Sequence, residues 1–156
     1  MGVMYLRQLD RGCVGEDYTI FVGVSWNYKS EIRNGSAVYM IIDRKGNNGV
    51  HMASNIVDTN SVRLVLLSIW SGLKNVPDNK LVRVVTKCNT AIQTLGPKNM
   101  SNDACSDLKA HIVEELSRLK KVYISRPLSA TDESYVNEVS KLAYDGREEY
   151  ERKTHK

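Results

Sequence analysis

Residues 18–25 read YTIFVGVS, eight positions rich in β-branched and aromatic types that follow the polar lead-in Gly15-Glu16-Asp17. A short apolar run of this composition after turn-forming residues predicts a buried strand, because branched and aromatic side chains pack well on a pleated surface. Working outward, Asn34-Gly35 is a turn signal ahead of a second run at 36–43 (SAVYMIID), and GNNG at 46–49 is another ahead of a third run at 50–56. Three strands joined by short turns predict an antiparallel meander.

Beyond the meander the apolar period lengthens from two to between three and four. Thr59-Asn60-Ser61 precedes Val62, Leu64, Val65, Leu66, Ile69, Trp70 and Leu73, so a helix is expected over 62–73, with Asn60 or Ser61 as its cap and Pro77 beyond its end. LVRVVT at 81–86 reads as a strand, and residues 90–95 as a short helical segment closed by Gly96-Pro97. Ser101-Asn102-Asp103 then caps a longer helix with Leu108, Ile112, Val113, Leu116 and Leu119 in one stripe. KVYIS at 121–125 is another strand, and after Pro127 helical spacing resumes over 131–150 through Tyr135, Val136, Val139, Leu142 and Ala143. The order β-β-β-α-β-α-α-β-α mixes an antiparallel half with strands that follow helices, so an α/β fold with a mixed, helix-covered sheet is expected.

Composition bounds the function classes. The 156 residues, 42% hydrophobic and 26% charged, suit one domain with a core that needs no metal or disulfide. Lysine and arginine total 22 against 18 acidic residues; a net +4 is compatible with an anionic partner and equally with none. Cys13, Cys88 and Cys105 are odd in number and widely spaced, which excludes a disulfide framework and a Cys-x-x-Cys motif. The longest apolar stretch, 62–70, is interrupted by Arg63 and Ser68 and falls short of the ~20 residues a membrane span needs. The first residues lack a signal pattern, and Leu6 stands where a myristoylation motif requires Ser or Thr. A cytoplasmic or nuclear setting, or a viral equivalent, is expected, with no membrane partner, and the sequons at Asn34-Gly35-Ser36 and Asn99-Met100-Ser101 then read as polar loops.

Four short segments, in order, carry a resemblance. Val22-Gly23-Val24-Ser25 sits where the ribonuclease H family has Thr-Asp-Gly-Ser on its first strand, and Thr59-Asn60 opens the first helix as that family's Thr-Asn-Asn does. Thr86-Lys87-Cys88-Asn89 is similar to its Thr-Asp-Ser-Gln, and Asn137-Glu138-Val139-Ser140-Lys141-Leu142-Ala143 to its Asn-Glu-x-Val/Ala-Asp-x-Leu-Ala. The resemblance covers about residues 18–146, leaving 1–17 as an N-terminal extension and 147–156 as a charged C-terminal tail. It implies a five-stranded mixed sheet, the first three strands antiparallel and the last two parallel to the first.

The family cleaves RNA with four carboxylates that hold two divalent metals, and hard cations need such anionic oxygen ligands. At the matching positions this chain has Gly23, Leu64, Lys87 and Ser140. All four carboxylates are gone, and an ammonium at Lys87 reverses the sign of the site. The family's histidine loop is not recognisable at 126–134; His51, His111 and His155 lie elsewhere. Asp17, Asp43 and Asp58 are the acids that could substitute, but Asp17 and Asp43 are expected at the far strand ends, as turn and strand-end residues. No phosphate-cradling glycine loop, G-x-S-x-G or metal-spaced histidine pair occurs. The expectation is a pseudoenzyme that uses no metal or cofactor.

Some substrate-contacting positions keep polar character. The resemblance implies that Asn60, Ser61 and Asn89 contact nucleic acid, the amides reading ribose 2′-hydroxyls; Ser25 is expected on the same face, the Lys87 ammonium can bind phosphate directly, and Trp26, just after the first strand, can stack on a base or sugar. The plainer alternatives are that Thr59-Asn60-Ser61 and Asn89 cap helices, that Lys87 is merely exposed, and that Trp26 is partly core. Two functions follow: an inactive module that binds RNA or an RNA–DNA hybrid through the old substrate face, or a structural module that binds a protein partner in a ribonucleoprotein or polymerase assembly.

Overall fold

The computed structural model describes residues 7–8, 15–27, 34–57, 60–100 and 105–154. Its strands are β1 (Arg7–Gln8), β2 (Tyr18–Asn27), β3 (Asn34–Asp43), β4 (Asn48–Val57), β5 (Leu81–Val85) and β6 (Lys121–Ser125). Its helices are α1 (Ser61–Lys74), α2 (Asn89–Thr94), α3 (Ser106–Arg118) and α4 (Ala130–Thr154). The fold is α/β, and all strands join one mixed sheet in the order β1-β6-β5-β2-β3-β4. β2, β3 and β4 form the antiparallel meander, while β5 runs parallel to β2 and β6 parallel to β5.

The expected count of five strands is corrected to six. Arg7 and Gln8, within the stretch set apart as an extension, pair in parallel with Tyr123 and Ile124 on the outer edge of the sheet. Two residues are too few to carry a period-two pattern, so nothing in the sequence marks them. The turn expected at Asn34-Gly35 is also corrected: both residues lie in β3, opposite Asn27 and Trp26. A Cβ on Gly35 would run into the Leu64 side chain, so the glycine serves packing and not a turn. The adjoining register shift against β4 falls between Gly35 and Ala37. Asn34 and Ser36 are buried within β3, so the sequon at 34–36 is not a loop; Asn99 is half-buried in a turn, and Ser101 lies outside the described residues.

Alternation along the strands sends side chains to two faces. Ile20, Val22, Tyr39, Val82, Val84, Val122 and Ile124 meet Leu66, Ile69 and Leu73 of α1 and Ile112 and Leu116 of α3. On the other face Phe21, Val38, Met40 and Val85 lie beneath Val136, Val139 and Ala143 of α4, residues spaced for one helical stripe. Asn60 is the cap of α1, its side chain accepting from the Arg63 N–H at 2.9 Å. The cap expected at 101–103 lies outside the described residues; α3 begins at Ser106 behind Cys105, whose φ of 53° is left-handed. α4 continues to Thr154 through the segment read as a charged tail, and Arg147 there is buried, its Nε donating to Ser25 Oγ at 2.8 Å. Among the described residues no helix is long and apolar enough to cross a membrane.

Candidate functional site

β5 pairs with β2 only as far as Phe21 opposite Val85, while β2 continues to Asn27. The two strands therefore part at their carboxyl ends, where the chain order turns: β3 flanks β2 on one side and the later β5 on the other. Crevices at such a switch point are where open α/β sheets place ligands. Here the crevice is a cavity of about 250 Å³ whose polar lining is Ser61, Thr86, Lys87 and Ser140, with Gly23, Cys88 and valines from β2, α1 and α4 completing it.

Local structure explains the positions. Thr86 N–H donates to the Ser125 carbonyl, and Thr86 Oγ1 accepts from the Cys88 N–H at 3.1 Å, a hydroxyl turn that bends the chain sharply around Lys87. Lys87 Nζ donates to Asn137 Oδ1 at 2.8 Å and lies 3.3 Å from Glu133 Oε2, so its ammonium bridges β5 to α4. Asn89 is the first residue of α2 and not its cap, a position held by Cys88; Asn89 Oδ1 accepts from Arg126 Nη1 at 2.7 Å. The same Arg126 nitrogen donates to the Lys87 carbonyl at 3.1 Å.

Three of the four positions matched to the family's carboxylates, Gly23, Lys87 and Ser140, line this one cavity, together with Ser61. Leu64 does not. It is fully buried beside Ala37, with Val24 and Trp26 packed against the pair, and its neighbour Val65 takes the lining position. Asn60 and Asn89 are exposed. Ser25 is further along β2, engaged by Arg147, and Trp26 is half-buried against the Leu64 cluster, which favours the core reading of the indole. Asp17 accepts from the Leu81 N–H at 2.9 Å and pairs with Arg44, and the Leu81 bond foremost holds its carboxyl below the ordinary range. Asp43 accepts from the side chain and backbone of Asn47 and from the Lys45 N–H, again lowering its pKa. Because Asp43 pairs with Tyr18 at the start of β2, both acids belong to the opposite end of the sheet from the cavity. Asp58 lies outside the described residues.

The metal pair implied by the resemblance does not fit these residues. A Cβ at Gly23 would lie within 2.8 Å of three backbone atoms of α4, the Ser140 N and Cα and the Val139 carbonyl carbon. Any side chain there requires α4 to move. Leu64 brings hydrocarbon and Lys87 a positive charge. Among the described residues no three His, Cys, Asp or Glu side chains are grouped to hold an ion.

Sequence reasoning missed Arg126, Glu133 and Asn137 as neighbours of the site. The signal for Arg126 was present: Val85 pairs with Ser125 in parallel strands, so the residues that follow each strand emerge at one end. Asn137 precedes Ser140 by three residues and so shares its helical face. Comparison of the sequence with protein-family models and with curated proteins finds no match.

Proposed function

We propose that this chain is a catalytically silent ribonuclease H-like domain that binds RNA, or an RNA-containing duplex, in the cleft between β2 and β5. The strand directions support the kinship, since three antiparallel strands followed by two parallel to the first is what the resemblance implies. The observation that carries the function is the meeting of Gly23, Ser61, Lys87 and Ser140 on one cavity whose lining residues include a lysine and no Asp or Glu. Such a lining favours a phosphate oxygen bound directly to nitrogen. Asn60 and Asn89 supply amides of the kind that contact ribose hydroxyls. Hydrolysis is not part of the reading: two metals need carboxylates that these residues do not offer. A cytoplasmic or nuclear location, where RNA is met, suits it.

Fluorescence anisotropy across an RNA–DNA hybrid, double-stranded RNA, single-stranded RNA and DNA tests the proposal. The RNA-containing duplexes should bind more tightly than DNA of the same sequence, affinity should fall with added salt, and Lys87→Glu should weaken it. In Mg²⁺ or Mn²⁺ the hybrid should remain intact. Should no nucleic acid bind more tightly than roughly 10⁻⁴–10⁻⁶ M at physiological salt, the domain is a protein-interaction module instead.

A further inference from the structure

Around Lys87 the side chains are tied so that each amide oxygen already accepts from a cation while its NH₂ is left over. An amide side chain carries one acceptor oxygen and one NH₂ donor. Asn137 gives its oxygen to the Lys87 ammonium, and Asn89 gives its oxygen to the Arg126 guanidinium. Neither Nδ2 has a partner among the described residues. The Arg126 guanidinium also donates to the Lys87 carbonyl. The carboxylate that faces this group is Glu133, 3.3 Å from Lys87 Nζ.

We propose that Lys87, Arg126, Asn89 and Asn137 form one phosphate-binding cluster, and that Glu133 is its resident counter-ion, displaced when a phosphodiester enters. The inference rests on the reading of the cleft as an RNA-binding face and adds which groups hold the backbone and what the ligand must push aside. Displacement is easy, because Lys87 and Glu133 are 44% and 54% exposed and ion pairs of that exposure contribute little. A phosphate supplies several acceptor oxygens at once and forms charge-assisted bonds with both cations. Arg126 and Asn137 act here as contact residues, with each cation also positioning one amide. Contacts of this kind are made to the backbone and not to base edges, so binding is indifferent to sequence.

Charge-matched variants give the test. Asn89→Asp and Asn137→Asp keep the oxygen that the structure uses and replace the outward donor with a second carboxylate oxygen. Each lowers the net charge by one, as does Lys45→Ala in the turn after β3, at the other end of the sheet. Glu133→Gln raises the charge by one at the cluster, and Glu149→Gln does the same sixteen residues along α4, ~24 Å away. Thermal melting establishes that each variant is folded. With an RNA–DNA hybrid as the anisotropy probe, each Asn→Asp change should weaken binding by about tenfold and Lys45→Ala by less than about twofold. Glu133→Gln should tighten binding by about threefold or more, with Glu149→Gln close to the parent. Hybrids of two unrelated sequences should bind within about twofold of each other. If the parent binds but the Asn→Asp variants are no weaker than Lys45→Ala, or Glu133→Gln is no tighter than Glu149→Gln, the cluster is overturned and the RNA reading stands. If the parent binds no RNA, both fall.

Discussion

Gly23 shows how one missing side chain shapes its surroundings. Because the glycine presents no Cβ, the backbone of α4 at Val139 and Ser140 lies directly against β2, closer than any substituted residue would allow. Putting the family's aspartate back should therefore not recreate a ligand; Gly23→Asp should destabilise the fold by about 3 kcal/mol or more through overpacking and a buried carboxylate. Urea denaturation measures this, and a variant as stable as the parent would show that α4 can withdraw. Lys87→Asp should leave the protein folded and still unable to cleave a hybrid, since one carboxylate cannot hold two metals. The positions Gly23, Lys87 and Ser140 were legible because each lies within or just after an element that periodicity locates, namely β2, β5 and α4. Leu64 was legible as a residue but not in its place: helical spacing cannot tell which of two adjacent apolar positions, 64 or 65, turns toward a cleft. Arg126 and Asn137 were within reach of strand direction and helical spacing, whereas Glu133 depends on how α4 approaches the end of β5, which no local pattern records.

Among the elements α1 was the most legible, since seven apolar residues at helical spacing and an Asn cap agree with one another. Leu66, fully buried on its sheet-facing side, provides the test: Leu66→Asp should unfold the domain, seen as loss of a cooperative melt. The far end of α1 is held by a device the sequence does not advertise. Arg118 of α3 donates to the carbonyl of Leu73 in the last turn and to that of Val76 just beyond the helix, and pairs with Glu115 and Asp78, so a charged donor ties the end of α1 to α3. Arg118→Ala should cost about 1–3 kcal/mol in denaturant unfolding, because those carbonyls lose a charged donor. β1 and the start of β3 were misread for the same reason, namely that their roles are set by neighbours. Gly35 makes room for Leu64, and Arg7–Gln8 follow the edge of β6.

For the whole molecule, a buried ion network joins parts that are distant in sequence. Arg83 of β5 forms two 2.9 Å bonds to Asp132 at the start of α4 and a 3.2 Å pair with Glu16 ahead of β2. Burial acts to raise the Asp132 pKa, but bonds from Arg83 and the Leu128 N–H, with the guanidinium charge, hold it below the ordinary carboxylate value. A carboxyl with a depressed folded pKa adds stability above its unfolded value of about 3.9, and that stability is lost as the pH falls through the folded value. The parent should therefore weaken steeply as the pH falls below about 4. Asp132→Asn should be about 3 kcal/mol less stable at neutral pH and show a shallower acid decline. Parallel curves for the two proteins would contradict the assignment. The bond between Arg147 and Ser25, 122 residues apart, also bears on how the chain comes together during synthesis. The β2–β3–β4 meander consists of neighbours and can assemble early, but β5 docks onto β2 and β6 onto β5 later, and α4 covers Phe21 and Gly23 only once residues 130–154 have been made. Until then that face of the sheet lies bare, the condition in which a nascent chain is most open to aggregation or to capture by a chaperone.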